Sequence, residues 1–384
     1  MIKNRELEIY IHIPFCVKKC AYCDFLSAPA TESSMEFYVA ALVKEIHAHR
    51  DAMKECVVKT IFVGGGTPSI LNEGQLKLIF EAIHQNFTVD ESAEITIEAN
   101  PGTVSREKLM CYRQVGINRI SFGLQSANNE ELKTLGRIHT YETFLESFHM
   151  ARECGFENIN VDLISAVPNQ TIQSWEETLR KIVRLNPEHI SAYSLIVEEG
   201  TPFASLYGEG CPKEAELPTE EEERGMYQRT KAILEESGYQ RYEISNYAKA
   251  GRECRHNLGY WERKEYLGVG LGSASLIENQ RYKNTDCFET YLKYSSELQK
   301  IQEEHQMLSK QEQMEEFMFL GMRKIEGVLE AEFQELFGEP VDKCYGTQIE
   351  AFERQGLLKR KEGKLSLTEE GINVSNYIFS EFLS

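Results

Sequence analysis

The 384-residue sequence lacks what would take a chain out of water. No stretch approaches the roughly 18 apolar residues of a membrane span, and the opening MIKNRELEIYIHIP holds no apolar signal core. Cations are scarce: 42 Lys and Arg stand against 61 Asp and Glu, a formal net charge of −19. That balance excludes a global electrostatic footprint for nucleic acid or an anionic membrane, and it implies a solvated acidic surface. There is no internal repeat and no low-complexity tract. Ten cysteines in an unsignalled chain fit a reducing cytoplasm better than a disulfide framework. At this length two domains are expected.

What is present begins with Tyr10 to Phe25, YIHIPFCVKKCAYCDF, where Cys16, Cys20 and Cys23 follow a β-type stretch in a Cys-x3-Cys-x2-Cys run. Three such thiolates can hold three irons of a four-iron cluster. A closed metal site takes four ligands, and no fourth thiol stands nearby, so one iron is left to a non-protein ligand. The other seven cysteines are scattered singly. Six read as small core or surface residues, and Cys254 stands out only for lying two residues before a histidine.

The first 200 residues alternate strand-like and helix-like stretches. Strands are expected at Glu8–Ile13, Thr60–Val63, Glu94–Ala99, Arg119–Gly123, Asn158–Leu163 and His189–Leu195. Amphipathic segments lie between them, such as Ser34–His49, Glu73–Asn86, Ser105–Val115, Tyr141–Cys154 and Ser174–Leu185. This is an α/β pattern of parallel βαβ units, and six of them suit a partial, TIM-like (β/α)6 barrel. Pro202 to Pro218 reads as a loop and Glu220–Ser237 as a helix. Tyr242–Ala248 and the glycine-rich Tyr266–Ile277 are expected to return to the barrel. Beyond about Ser295 come helices at Ser309–Lys324 and Glu330–Phe337, a hairpin at Leu357–Thr368 and a last helix at Glu369–Leu383. That tail is a smaller, mostly helical, winged-helix-like domain, for which a packing or lid role is expected in so acidic a setting. The expected segments are 1–240, 241–295 and 296–384.

Polar chemistry gathers at the strand ends. The cysteines follow the first strand and Gly64-Gly65-Gly66-Thr67-Pro68 the second; Glu98 closes the third, Gln125 follows the fourth and Asp162 lies near the end of the fifth. In barrels these carboxyl ends build the active face. The glycines let a ligand approach the main chain, and no Walker loop is formed, since Gly-Lys-Ser/Thr is missing. Glu98, inside an apolar stretch, needs a cation or hydroxyl partner. With Gln125, Arg137 and Asp162 it offers donors and acceptors for a zwitterionic amino acid and a sugar.

These motifs, YIHIPFCVKKCAYCDF with GGGTPS, resemble the radical S-adenosylmethionine (SAM) enzymes, in the group related to oxygen-independent coproporphyrinogen III oxidase. The resemblance runs from about Ile9 to the C-terminus. It implies a [4Fe–4S] cluster on Cys16, Cys20 and Cys23 whose open iron takes the amino and carboxylate groups of SAM. It further implies Tyr22 beside the adenine, Tyr10 at the cofactor, Gly65, Gly66 and Thr67 at its amino group, and Glu98, Gln125, Arg137 and Asp162 as remaining contacts. The oxidase carries a further cysteine two residues after the third, where Phe25 stands here, and a longer arm where nine residues precede Tyr10. Both departures speak against decarboxylation of coproporphyrinogen III to protoporphyrinogen IX, which stays as the alternative.

The sequence also resembles the HemW-type heme chaperones. Their His-Asn-x-x-Tyr-Trp motif stands here as His256, Asn257, Leu258, Gly259, Tyr260 and Trp261. Histidine and tyrosine are heme-iron ligands elsewhere, and aromatic rings offer flat apolar faces. The resemblance thus implies heme as a third bound group, held by His256, Asn257, Tyr260 and Trp261, and an acceptor hemoprotein, for example a respiratory one, as partner. It implies no catalytic residues if the chain is a chaperone, no nucleic acid partner, a peripheral membrane association at most, and room for a homodimer. The glycines of GVGLGS (268, 270 and 272) read as a close-packed loop near the ligand, without the dinucleotide-binding context.

Overall fold

The computed structural model describes residues 5–383, so the outermost positions of the expected first and last segments, 1–4 and 384, lie outside the described residues. A period-two alternation in the strands decides the layers. In β1 (Arg5–Ile13) Leu7, Ile9, Ile11 and Ile13 are fully buried in the main apolar core, while Glu8, Tyr10 and His12 take the opposite face. The split recurs in β2 (Cys56–Gly65), where Ile61 and Val63 join the core and Thr60, Phe62 and Gly64 alternate with them. It continues in β3 (Thr88–Ala99), with Glu94, Thr96 and Glu98 on the polar face, and in β4 (Arg119–Gln125), with Arg119, Ser121 and Gly123. In β5 (Ile159–Ser165) and β6 (His189–Ser194), Asn160 and Asp162, then His189 and Ser191, complete that face. One side of the sheet is therefore oily and the other lines a polar lumen.

Helices cover the oily side. After the strands come α1 (Glu32–Ala48), α2 (Glu73–Asn86), α3 (Arg106–Gln114), α4 (Tyr141–Glu153) and α5 (Ile172–Leu185). Each starts on a side-chain cap, from Thr31, Asn72, Ser105, Thr140 and Thr171, which satisfies an otherwise orphaned backbone N–H. β1 to β6 are parallel neighbours in sequence order, as expected for the partial barrel.

Several elements go beyond the expectation or differ from it. Pro202 to Pro218 is not all loop: α6 (Pro202–Tyr207) forms there, with Thr201 as cap and a proline in its first turn. It is followed by α7 (Glu220–Glu236). The His-Asn-x-x-Tyr-Trp motif is itself a short helix, α8 (Arg255–Trp261). A seventh parallel strand, β7 (Tyr266–Val269), pairs with β1, Glu8 facing Tyr266. Antiparallel strands then extend both edges, Ala274–Ile277, Gln280–Asn284 and Gln302–Met307 beyond β7, and Asn246–Ala248 and Gln240–Arg241 beyond β6.

The carboxyl-terminal helices Lys310–Gly321, Glu330–Phe337 and Val341–Arg354 enclose an apolar core of their own with Met318, Phe333, Ile349, Phe352 and Leu365. A small antiparallel sheet, Val328–Leu329, Lys364–Leu367 and Leu358–Lys361, supplies the wing. The expected last helix is broken at Val374 into Glu369–Asn373 and Ser375–Ser380. Among the described residues no helix is long and apolar enough to cross a membrane.

Candidate functional site

The carboxyl ends of the strands form one mouth. Cys16, Cys20 and Cys23, all half-buried, lie on the loop that leaves β1. Two neighbours reach their sulfurs: the Thr67 hydroxyl donates to Cys16 Sγ at 3.5 Å, and Arg137 Nη1 to Cys20 Sγ at 3.4 Å. Burial pushes the Cys23 thiol up, an N–H from Phe25 pulls it back, and the Cys20 and Cys16 sulfurs add to the rise. The three thiols thus stand in one another's field. Among the described residues no three Cys, His, Asp or Glu side chains converge as ligands of a single ion. A four-iron cluster does not ask for that, because its irons occupy separate corners and each takes its own cysteine.

The glycine run is a cradle that a side chain would fill. Gly65 has φ +110°, and a Cβ there would sit 2.5 Å from His12 Cε1; at Gly66 it would sit 2.6 Å from the Phe15 carbonyl oxygen. Only glycine fits both positions. The Gly65 N–H donates to Glu98 Oε2 at 3.1 Å. Burial, and behind it the charge of Asp162, pushes the Glu98 carboxyl up to about 8. Asp162 accepts from the Ser121 hydroxyl at 2.8 Å and from Asn160 Nδ2 at 2.8 Å. Arg137 Nη2 donates to Asn100 Oδ1 and to the Gly123 carbonyl, both at 2.6 Å, while its buried Nε has no partner. Asn100 in turn donates to Thr67 Oγ1 at 2.9 Å. Gln125 closes β4 with φ +74°, a left-handed backbone that costs about 1 kcal/mol or more in a non-glycine residue. Tyr22 packs edge-on to Phe203 and burial holds its phenol protonated. Tyr10 gives its hydroxyl to His12 Nδ1 at 3.0 Å, and His12 Nε2 bonds the Leu26 carbonyl at 2.9 Å, which ties the cysteine loop to the barrel.

Cys16, Cys20, Cys23, Tyr22, Gly65, Gly66, Thr67, Glu98 and Arg137 are therefore brought together, with Gln125 and Asp162 at neighbouring strand ends. Two glycines that tolerate no Cβ, a buried guanidinium nitrogen without a partner and an unclosed set of thiols suit a chelated, zwitterionic ligand. Asn100, His12, Asn160 and Ser121 join the site without having been expected there. Asn100 stands in the Glu98-to-Pro101 turn, and that position was the available signal.

The heme motif lies elsewhere. Helix α8 is set against the amino-terminal layer of the barrel, at Glu8, Thr60 and Glu94, which at about 3.3 Å per residue is roughly 13 Å below Gly64. The structure differs here from the expectation of an open axial ligand. His256 is 1% exposed; its Nδ1 pairs with Thr60 Oγ1 at 2.7 Å, its Nε2 with the Tyr260 hydroxyl at 3.1 Å, and its ring stacks on Phe62. Burial, and then the charge of Arg119, holds the imidazole down to about 3, so it is neutral. Neither ring nitrogen is free for iron. Tyr260 is spent on the same pair, the Arg323 guanidinium covers the Trp261 ring at 4.5 Å, and Asn257 is half-buried on the same helix. Cys254 is fully buried, donates toward Glu94 at 3.6 Å and has a thiol pushed up to about 12 by burial.

A hydrogen-bonded chain joins the two ends. Asn160 links Asp162 to His189 Nδ1 (2.6 Å), His189 Nε2 pairs with the Tyr242 hydroxyl (2.8 Å), and that oxygen accepts from the Cys254 N–H at 3.3 Å.

Comparison with known proteins agrees with this fold. Residues 10–182 match the Radical SAM superfamily and residues 308–374 the HemN C-terminal domain. The chain is 37% identical to the heme chaperone HemW of Lactococcus lactis, with 97% of this chain and 96% of that protein covered. It is 37% identical to the HemW of Bacillus subtilis, with 97% and 98% covered. In fold it matches the solved coproporphyrinogen III oxidase HemN of Escherichia coli, with a TM-score of 0.87 at 24% identity, over 99% of this chain and 90% of that one.

Proposed function

This chain belongs to the radical SAM superfamily, in the group of the heme chaperones HemW, and from that premise we propose that it binds heme and passes it to an acceptor hemoprotein in the cytoplasm. In this reading residues 1–240 carry the cluster and SAM, 241–295 brace the barrel and 296–384 pack against it. Cys16, Cys20 and Cys23 hold a [4Fe–4S] cluster. The cluster supplies an open iron that chelates the amino and carboxylate groups of SAM. Arg137 offsets the thiolate charge, and Gly65, Gly66 and Thr67 offer main-chain and hydroxyl groups to the amino end. Glu98, Gln125 and Asp162 would supply the remaining contacts to SAM, with Tyr22 beside the adenine and Tyr10 at the cofactor.

The observation that carries the reading is the likeness to HemW, 37% identity over nearly the whole length of both chains. Phe25, exposed where the oxidase has a cysteine, points the same way. The test is a heme titration of the cluster-loaded protein beside an anaerobic assay with SAM, reductant and coproporphyrinogen III. Stoichiometric heme uptake without divinyl product is expected; protoporphyrinogen formation would overturn the reading.

A further inference from the structure

Exposed large apolar side chains are unevenly spread. Val17, Phe25 and Leu26 stand on the cysteine loop, Ile138 on the loop beyond β4, Ile196 just past β6 and Leu206 on α6. One small apolar cluster draws these segments together: Ala21 and Tyr22 pack with Leu135, Leu195, Phe203 and Tyr207. The Phe203 N–H donates to the Ala21 carbonyl at 3.1 Å, and Gly136 comes against the Ala21 backbone. The six exposed residues therefore stand on segments that meet at the mouth, beside the cysteine loop. Phe25 is 64% and Ile196 68% exposed, a large cost in water for one patch.

Lys18 and Lys19 are exposed on the cysteine loop together with one acid, Asp24, and Lys19 donates to the Phe25 carbonyl at 2.9 Å, while Glu198 and Glu199 are exposed past Ile196. A flat apolar ligand with two carboxylates on one edge suits that arrangement: its face meets the apolar side chains and its acids meet the lysines. We propose that heme is seated on this rim, with the macrocycle against Val17, Phe25, Ile138 and Ile196 and the propionates at Lys18 and Lys19, while α8 stays closed on the barrel base. The proposal rests on the heme-chaperone reading and locates its site. The histidines nearest the rim, His12 and His139, are buried and each spends a ring nitrogen on a carbonyl, at 2.9 Å and 3.2 Å. Heme held by its face and its propionates, without a protein imidazole, leaves easily, which is what a donor needs.

The test is a Soret titration of cluster-loaded protein with hemin, with iron and sulfide content measured for every variant. Val17→Ser with Phe25→Ser, and separately Ile138→Ser with Ile196→Ser outside the cysteine loop, are each expected to weaken heme about tenfold or more. Lys18→Glu with Lys19→Glu should weaken it and flatten its salt dependence. Tyr377→Ser, which removes a comparably exposed ring from the carboxyl-terminal unit, should change nothing. Wild-type uptake that survives both apolar double variants, or that His256→Gln alone abolishes, overturns the rim site and leaves the chaperone reading standing. No uptake by the wild type defeats both.

Discussion

The two ends of the barrel are built from the same strands and differ in what they leave undone. At the base, His256, Tyr260, Thr60, Glu94 and Cys254 are paired and shut away, with Glu8 Oε2 and Trp261 Nε1 buried beside them without a partner, and Gly259 is glycine because a Cβ there would collide with the Glu8 carboxylate. At the mouth, the thiols form an unclosed set, Arg137 keeps a free nitrogen, the glycine cradle is bare and apolar side chains stand in water. The motif that most resembles a heme site is thus at the closed end, and the open thiols and exposed apolar side chains are at the other.

Substitutions can break this contrast. Replacing Cys16, Cys20 and Cys23 together by alanine should remove nearly all bound iron and sulfide, whereas Cys254→Ala should leave both in place; metal analysis of anaerobically purified protein decides. His256→Ala should lower stability by about 3 kcal/mol, since it opens a cavity and strands two hydroxyls. Phe25→Ser should stay within about 0.5 kcal/mol of wild type in the same urea unfolding experiment. Equal losses would erase the difference between the ends.

The Glu98 carboxyl sharpens the contrast through pH. Its folded value, about 8, lies above its unfolded one, so the folded state keeps a proton that the unfolded state releases. Stability from this group therefore falls as pH rises from the ordinary carboxylate range through about 8. A cationic ligand favours the ionised form, so SAM affinity should rise across the same window and Glu98→Gln should flatten the rise, as read by calorimetric titration at several pH values. A smaller loss than that of His256→Ala is expected from Tyr260→Phe, about 1 kcal/mol for one hydrogen bond at the base, with heme affinity unchanged in the same protein.

Much of the mouth was legible because its chemistry is local. The cysteines, Gly64 to Gly66 and Glu98 sit within a few residues of strands that announce themselves by period two. The base was not legible, for two physical reasons. Helix α8 carries Gly259, a poor helix former, and its glycine is explained only by Glu8, some 250 residues earlier. Strand β7 was legible as a return to the barrel, but its register with β1 is encoded by no local pattern. For α6 the Thr201-Pro202 start signal was there, but neighbouring glycines and prolines masked it. The break at Val374 leaves no comparable mark: Glu369 to Leu383 holds no proline, and its one glycine, Gly371, lies before the break.

The account turns on which end answers to heme, and hydrogen–deuterium exchange of the cluster-loaded protein with and without hemin reads this directly. The predicted result is slower exchange across residues 14–29 and 136–139 with no change at residues 255–261. Faster exchange at 255–261 on heme addition, with the mouth unaltered, would mean that α8 opens to present His256, and would contradict it.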